Sequence, residues 1–385
     1  MRKRLALTAL ALATAVTAVT AVTAGAAAPA TATRPDPVRQ GLETLVRSDH
    51  APGALASMMD RNGNVRTYTA GVGDRDTHAT VLRDGQVRIG SITKTFTAVV
   101  VLQLVGEGKI GLGDSVESHL PGLVRGKGID GQKITVRQLL QHTSGLPDYE
   151  EDVTDDILER RYLSPRDALD VALKHEAVFA PGTKGEWGYS STNYLVAGLI
   201  VQKVTGRPLA EQIDQRVIQP IGLRNTYFPA PGETTIRERH PRGYRQGTTD
   251  ADLRDVTEID PSASWAGGAM VSTTSDLNRF FSELLKGEGE GNRLLEEDQL
   301  KQMRTTVDMK VEGYGAGLGI ISMPLSCRPG DNRIAWGHSG GIPGYGTWAA
   351  ATDDGRAASV AMTLEPKTGQ AMGHLEEAVK AGLCR

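Results

Sequence analysis

Ile89-Gly90-Ser91-Ile92-Thr93-Lys94-Thr95-Phe96 opens an apolar stretch that continues to Val105, and the rest of the chain is arranged around it. Read as a helix, it puts Ser91 at the N-terminal end and Lys94 three residues on, close to one turn, so both side chains share a face. A serine hydroxyl is a weak nucleophile until a basic group takes its proton, and a lysine serves only if burial or neighbouring cations lower its pKa. Backbone N–H groups left unpaired at a helix start favour negative charge developing near Ser91. The plainer reading makes Ser91 a helix cap and Lys94 a solvated side chain. Val99-Val100-Val101-Leu102 is wider than the apolar stripe of a surface helix and predicts a buried one, where an idle lysine in the first turn is uncomfortable.

The chain has 385 residues, and its first 30 read as a leader. Arg2-Lys3-Arg4 is followed by an Ala/Leu/Val/Thr-rich stretch to Ala24, and Ala28-Pro29-Ala30 suits cleavage. An uncleaved membrane anchor is the alternative, but the mild Ala/Thr content favours cleavage and a secreted, extracellular protein. Cleavage after Ala30 leaves 355 residues of the 385, enough for one large core or two lobes. The leader carries three basic residues, so the formal charge moves from -3 to -6 without it. No basic block or basic helix replaces them, which argues against nucleic acid as a partner. No later segment approaches a membrane span, so no stable membrane partner is expected. Eight His without a close Cys/His cluster leave a metal unsupported, and no cofactor is expected. The two cysteines, Cys327 and Cys384, read as one disulfide in an exported chain, with two buried free thiols as the alternative. Closing that 57-residue loop would contribute roughly 4 kcal/mol in the chain-entropy view.

Upstream of Ser91 a helix runs through Leu42, Leu45 and Val46, followed by a strand over 53–59. Asp60-Arg61-Asn62-Gly63-Asn64 then reads as a hairpin turn. The returning strand covers 65–72, and a short strand over 86–89 leads into Ser91. From Ser91 to about Glu258 helical patterns dominate, at 91–106, 135–141, 165–173, 191–205 and 210–217, joined by Gly/Pro-rich loops. An α/β character returns at 267–272. A capped helix through Leu277, Phe280 and Leu284 follows, then a short helix at 296–303, strands at 315–323, 333–337, 345–350 and 357–364, and a helix over 372–383. The expected fold class is α/β plus an all-helical lobe. An antiparallel sheet flanked by helices is built from 31–90 and 259–385, and a mainly helical domain over 91–258 faces it.

Two further clusters could carry chemistry. In Gly188-Tyr189-Ser190-Ser191-Thr192-Asn193-Tyr194, Tyr189 could exchange a proton if cations such as Lys94 lower its pKa; ordinary packing or capping is the alternative. Trp336-Gly337-His338-Ser339-Gly340-Gly341 reads as a strand running into a glycine turn, where backbone can approach a ligand with His338 or Ser339 at hand; a structural histidine is the alternative. Gln141-His142-Thr143-Ser144-Gly145-Leu146 offers His142 and Ser144 but no Asp to orient the histidine, so His142 is expected to brace a loop.

Ser91-Ile92-Thr93-Lys94, Tyr189-Ser190-Ser191 and His338-Ser339-Gly340 resemble, in order and spacing, the Ser-x-x-Lys, Tyr-x-Asn and Lys/His-Thr/Ser-Gly motifs of the serine penicillin-recognising enzymes. The branch is the one that contains class C β-lactamases, serine D-alanyl-D-alanine carboxypeptidases, D-aminopeptidases and related esterases. The resemblance runs from about Asp36 to Cys384 and is strongest to secreted actinomycete carboxypeptidases, including the placement of Cys327 and Cys384. It implies a β-lactamase/DD-peptidase-like fold, with Ser91 as nucleophile, Lys94 as its proton partner and Tyr189 as the relay to the leaving group. The substrate would lie along His338, Ser339, Gly340 and Gly341, its oxyanion held by the N–H groups of Ser91 and of Gly341 or Ile342. Ser264-Trp265-Ala266-Gly267-Gly268 resembles the segment that sets a tryptophan over the substrate, which makes Trp265 a wall residue.

Two departures from the pattern stand out. Ser191 replaces the usual Asn in the substrate-binding set, so contact with the acyl-side amide would be weakened or would pass to another residue such as Asn193. Within Tyr314-Gly315-Ala316-Gly317-Leu318-Gly319, Gly319 stands where the carboxypeptidase has a carboxylate-binding arginine, which leaves His338 or Arg333 to compensate. The activity implied is a D-alanyl-D-alanine carboxypeptidase working through an acyl-enzyme on Ser91 that penicillins also acylate. The alternatives are a class C-like β-lactamase, a D-aminopeptidase or amidase, an esterase and, outside the enzymes, a cell-wall peptide-binding protein. Its partners would be small peptides or β-lactams and peptidoglycan precursors.

Overall fold

Gly53–Met59 (β1) is buried along nearly its whole length, and the Asn62-Gly63 turn sends the chain back through the half-exposed Val65–Gly71 (β2). Burial on both faces means that β1 lies inside a sheet covered on two sides. A computed structural model supplies these coordinates and describes residues 36–247, 252–287 and 291–385; the leader expected over 1–30 lies outside them. Six strands from the C-terminal part complete the sheet: Val307–Asp308 (β3), Gly315–Ala316 (β4), Ile321–Pro324 (β5), Ile334–Ile342 (β6), Tyr345–Thr352 (β7) and Ala357–Met362 (β8). Their order is β2-β1-β8-β7-β6-β5-β4-β3, and every neighbouring pair is antiparallel.

The period of two along these strands divides the core. Ala54, Ala56, Met58, Trp348, Ala350, Ala358, Val360 and Met362 pack with the helices Pro37–Arg47 (α1) and Gly369–Leu383, whereas Leu55, Ala349, Ala351, Ala357 and Ala361 join the core of the opposite face. Small side chains suit a sheet with helices on both sides. Gly41 of α1 lies so close to Ala378 that a Cβ there would sit 2.8 Å from that residue's Cβ.

The opposite core is built on Thr93–Gly106 (α2), which has eleven of its 14 residues buried. Phe96 stacks on Phe280 of the helix Thr274–Leu284 with ring centroids 3.8 Å apart, and Ser191–Thr205 (α3) packs alongside. α2 is therefore the central helix that the apolar run predicted. Cys327 is bonded to Cys384, their Cα atoms 5.1 Å apart, so the segment after β5 is tied to the end of the last helix. Among the described residues no helix is long and apolar enough to cross a membrane.

Two expected elements differ. The strand expected over 315–323 is split by a turn in which the Gly317 N–H donates to the Ile320 carbonyl, and Gly319 takes φ +73°. The glycine turn expected after Gly337 is instead continuous strand: β6 runs to Ile342, and the reversal comes at Pro343-Gly344. The α/β character expected over 267–272 is a helical turn, Trp265–Gly268, followed by the short strand Val271–Ser272.

Candidate active site

The short strand Val87–Arg88 delivers the chain to a 3-10 turn, Gly90–Ile92, from which α2 continues. Gly90 has φ +50° and presses on β6, where a Cβ would lie 2.7 Å from the Gly341 carbonyl oxygen. Only glycine fits here. The half-buried Ser91 hydroxyl does not cap the helix; it accepts from the Lys94 Nζ at 3.0 Å. Lys94 is fully buried and donates twice more, to the Ser191 Oγ at 3.2 Å and the Gly267 carbonyl at 3.0 Å. Three acceptors match the three donors of an ammonium group. The Tyr189 ring lies 4.9 Å from Nζ and the Tyr194 ring 5.8 Å.

The charge of Lys94 corrects the sequence reading, which required a lowered pKa. Burial does pull it down, but the Tyr189 phenol, then Glu150 and Asp148, more than offset that, and the ammonium form is held above its ordinary range. The acids come from Pro147-Asp148-Tyr149-Glu150, a loop that sequence reasoning passed over. Asp148 Oδ2 accepts the Ser191 N–H at 3.1 Å, and its Oδ1 accepts the Glu150 N–H at 3.2 Å. Burial pushes both carboxyls up, and Lys94 pulls them back. The available signal was an acidic run, Asp148-Tyr149-Glu150-Glu151-Asp152, directly after the His142–Leu146 loop.

Tyr189 is exposed at the mouth of the cleft, immediately before α3. Its ring stacks on His142, centroids 4.4 Å apart at 22°, with the His338 ring 6.5 Å away on the other side. The structure therefore brings Ser91, Lys94 and Tyr189 together from α2 and the start of α3. Two neighbours are used differently from expectation. Ser191 is buried and spends its hydroxyl on Lys94. Asn193 is fully buried between His142 Nδ1, at 3.2 Å, and the Ser144 hydroxyl, so it has no amide group left for a substrate.

β6 forms the facing wall. β5 pairs with it only as far as Gly337, so no strand among the described residues covers that edge from His338 to Ile342. Ser339 is half-buried and Gly341 is exposed with open space around it. Gly340 is buried where a Cβ would collide with the Ile89 carbonyl. His338 Nδ1 meets the Ser339 carbonyl at 2.6 Å, and burial lowers its pKa to about 4, so the ring is neutral at neutral pH.

Neither compensating cation is in place. His338 is uncharged, and Arg333 is held bidentate by Asp331 at 3.0 and 2.8 Å, roughly 17 Å back along the extended strand. Gly319 itself lies behind α2, where a side chain would run into Ala98 and the Tyr194 hydroxyl. Trp265, expected over the substrate, is half-buried against Gly198 of α3 and lines an apolar cavity of about 290 Å³ with Tyr162 and Phe228. Its neighbour Gly267, through the carbonyl on Lys94, is what that segment contributes to the site. No group of three or more His, Cys, Asp or Glu among the described residues is placed to hold a metal.

Residues 38–382 match the family model described as Beta-lactamase. Among solved structures, a D-stereospecific amidohydrolase from Streptomyces sp. is similar with a TM-score of 0.78 and 38% identity, covering 87% of this chain and 96% of that one. A D-amino acid amidase from Ochrobactrum anthropi SV3 complexed with L-phenylalanine gives 0.74 and 25%, covering 89% and 96%. Protein flp of Staphylococcus aureus (strain MW2) is 27% identical over 290 residues, 72% of this chain and 55% of that protein. The chain thus spans about half the length of the first curated relatives it matches.

Proposed function

We propose that this chain, which belongs to the beta-lactamase family, is a serine hydrolase that cleaves amides and short peptides of D-amino acids through an acyl-enzyme on Ser91. The observation that carries this is the buried Lys94 amine, 3.0 Å from the Ser91 hydroxyl and beneath the Tyr189 ring. Since Lys94 rests as an ammonium, it does not take the serine proton. Tyr189 takes it as the phenolate, having released its own proton to solvent with the Lys94 charge beside the anionic oxygen, and becomes a neutral phenol as the Ser91 Oγ attacks the substrate carbonyl. The N–H groups of Ser91 and Gly341 hold the oxyanion. Tyr189 then returns its proton to the departing amine, and water releases the D-amino acid and regenerates Ser91.

Two features support an amide over a peptide ending in a free carboxylate. The residues named to receive that carboxylate are neutral, engaged elsewhere or buried behind α2, while Glu150 and Asp148 line the Lys94 side with negative charge that suits a substrate α-ammonium. The likeness to the Streptomyces amidohydrolase supports the same choice. The carboxypeptidase reading rests on the open edge of β6, to which an extended peptide could pair. Export behind the 1–30 leader, action on cell-wall peptides, and the lobes at 31–90 with 259–385 and at 91–258 complete the proposal.

The test is a substrate panel on the mature protein: D-phenylalanine amide, its L-isomer, a diacylated D-Ala-D-Ala peptide, nitrocefin and a p-nitrophenyl ester. The highest kcat/KM is expected on the D-amide. Faster turnover of the diacylated peptide would overturn the amide assignment and restore the carboxypeptidase.

A further inference from the structure

We propose that His142 is the positioning residue of Tyr189, a clamp whose main-chain carbonyl holds the backbone before the tyrosine while its imidazole holds the backbone after it and fixes the plane of its ring. The inference rests on the serine-hydrolase reading above and assigns to His142 more than the bracing of its own loop. Four contacts converge. The His142 carbonyl accepts the Gly188 N–H at 3.1 Å, Nδ1 accepts the Ser190 N–H at 3.1 Å, the Asn193 amide meets the same Nδ1 at 3.2 Å, and the ring stacks on Tyr189. The residues before and after Tyr189 are both held, and imidazole covers one face of its ring.

The clamp is itself rigidly set. His142 is buried with φ +59°, a conformation uncommon for a residue with a side chain and one that persists only where its surroundings enforce it. Ser144 enforces it from below: its hydroxyl donates to the Asn193 carbonyl oxygen and accepts the Leu146 N–H at 3.0 Å. Asn193 is thereby oriented with its NH2 toward His142. Nδ1 faces two N–H donors, so it must present a lone pair, which assigns the ring proton to Nε2. Lys94, His338, Tyr189 and Tyr194 are the titratable groups that face this ring; burial, Lys94 and His338 all disfavour a second proton on it. A bracing role alone needs only the lone pair. The flat stack on Tyr189 is what a non-aromatic acceptor would not supply.

His142→Asn separates the two roles, since the Asn side-chain oxygen can accept the Ser190 N–H and Asn tolerates positive φ. The readout is the ratio of two rates, on an amide that needs Tyr189 both to take the Ser91 proton and to protonate the leaving amine, and on a p-nitrophenyl ester that needs only the first. H142N is expected to lose on the order of 10²-fold in kcat on the amide with KM little changed, and a smaller amount, roughly 10-fold, on the ester, which still needs Tyr189 to take the Ser91 proton. Y189F should show the same asymmetry, and the double variant should lose no more than Y189F alone. Equal losses on both substrates, or additive losses in the double variant, would overturn the assignment. If H142N does not fold, H142Q is read against the same criteria. If the protein turns over no amide, the function proposal fails while the clamp is still tested by benzylpenicillin, whose acylation rate should fall equally in H142N and Y189F; an unchanged rate in H142N would sink it.

Discussion

The helical wall of the cleft is charged and closely hydrogen-bonded, whereas the sheet wall opposite is neutral and partly bare. On the helical side, the three donors of Lys94 are used, Asp148 holds the start of α3, and His142 grips the turn that carries Tyr189. On the sheet side, His338 is uncharged, Gly340 is present because nothing larger fits against Ile89, and the β6 edge beyond Gly337 is open. On the proposed function, the difference teaches a division of labour: the helices would create a reactive group and manage its protons, and the strand would supply shape and unpaired backbone. Electrostatic perturbation should therefore act through the first wall and steric perturbation through the second.

The largest expected effect is on the helical wall. S91A should lose at least about 10³-fold in turnover and show no mass increase after benzylpenicillin, read by intact-protein mass. A covalent adduct on S91A would remove the nucleophile from this wall altogether.

The neutral histidine of the sheet wall makes a prediction about stability. An unfolded histidine takes its proton near pH 6.5 and folded His338 only near about 4, so between those values the unfolded chain holds the extra proton and stability rises with pH. Acidification from 6.5 to 4 should thus remove up to about 3 kcal/mol through this residue, the loss being complete below the folded value. Denaturant unfolding of wild type and H338N across that range checks it; parallel curves would show that the sheet wall is not kept neutral by this burial.

Next in size is G340A, whose Cβ must displace the Ile89 carbonyl at the entrance to α2. A loss of about 1–3 kcal/mol in stability is expected, with lowered acylation because Ser91 moves with Ile89. An unchanged melting temperature would mean the two walls are not in rigid contact.

The smallest effect sharpens the electrostatic side. E150Q should raise KM for a D-amino-acid amide by about 10-fold relative to its N-acetylated counterpart, the scale of one charge-assisted hydrogen bond. Equal changes on both substrates would leave Glu150 a partner of Lys94 only.

Much of this was legible in the chain itself. The pairing of Ser91 with Lys94 follows from one helical turn, the depth of α2 from an apolar run too wide for a surface, and the strand pattern of β1, β2, β7 and β8 from short apolar runs between turns. These are local properties, carried within a few residues. The misreadings at the site involve distant partners. Asn193 and Ser191 looked available until His142, Ser144 and Lys94 occupied them, and β6 looked broken at its glycines until Ile89 explained why glycine is needed there.

By itself, then, the amino-acid order determined which groups exist, their spacing along each element and the sheet that joins the two chain ends. The tertiary structure alone decided the protonation of Lys94, the neutrality of His338 and the removal of Gly319 and Arg333 from the reacting centre. The physical reason is that charge state and accessibility depend on what packs within a few ångströms, and those neighbours lie some 50 to 220 residues away in the chain, as with Ser144 and Asn193 or Thr95 and Gly319.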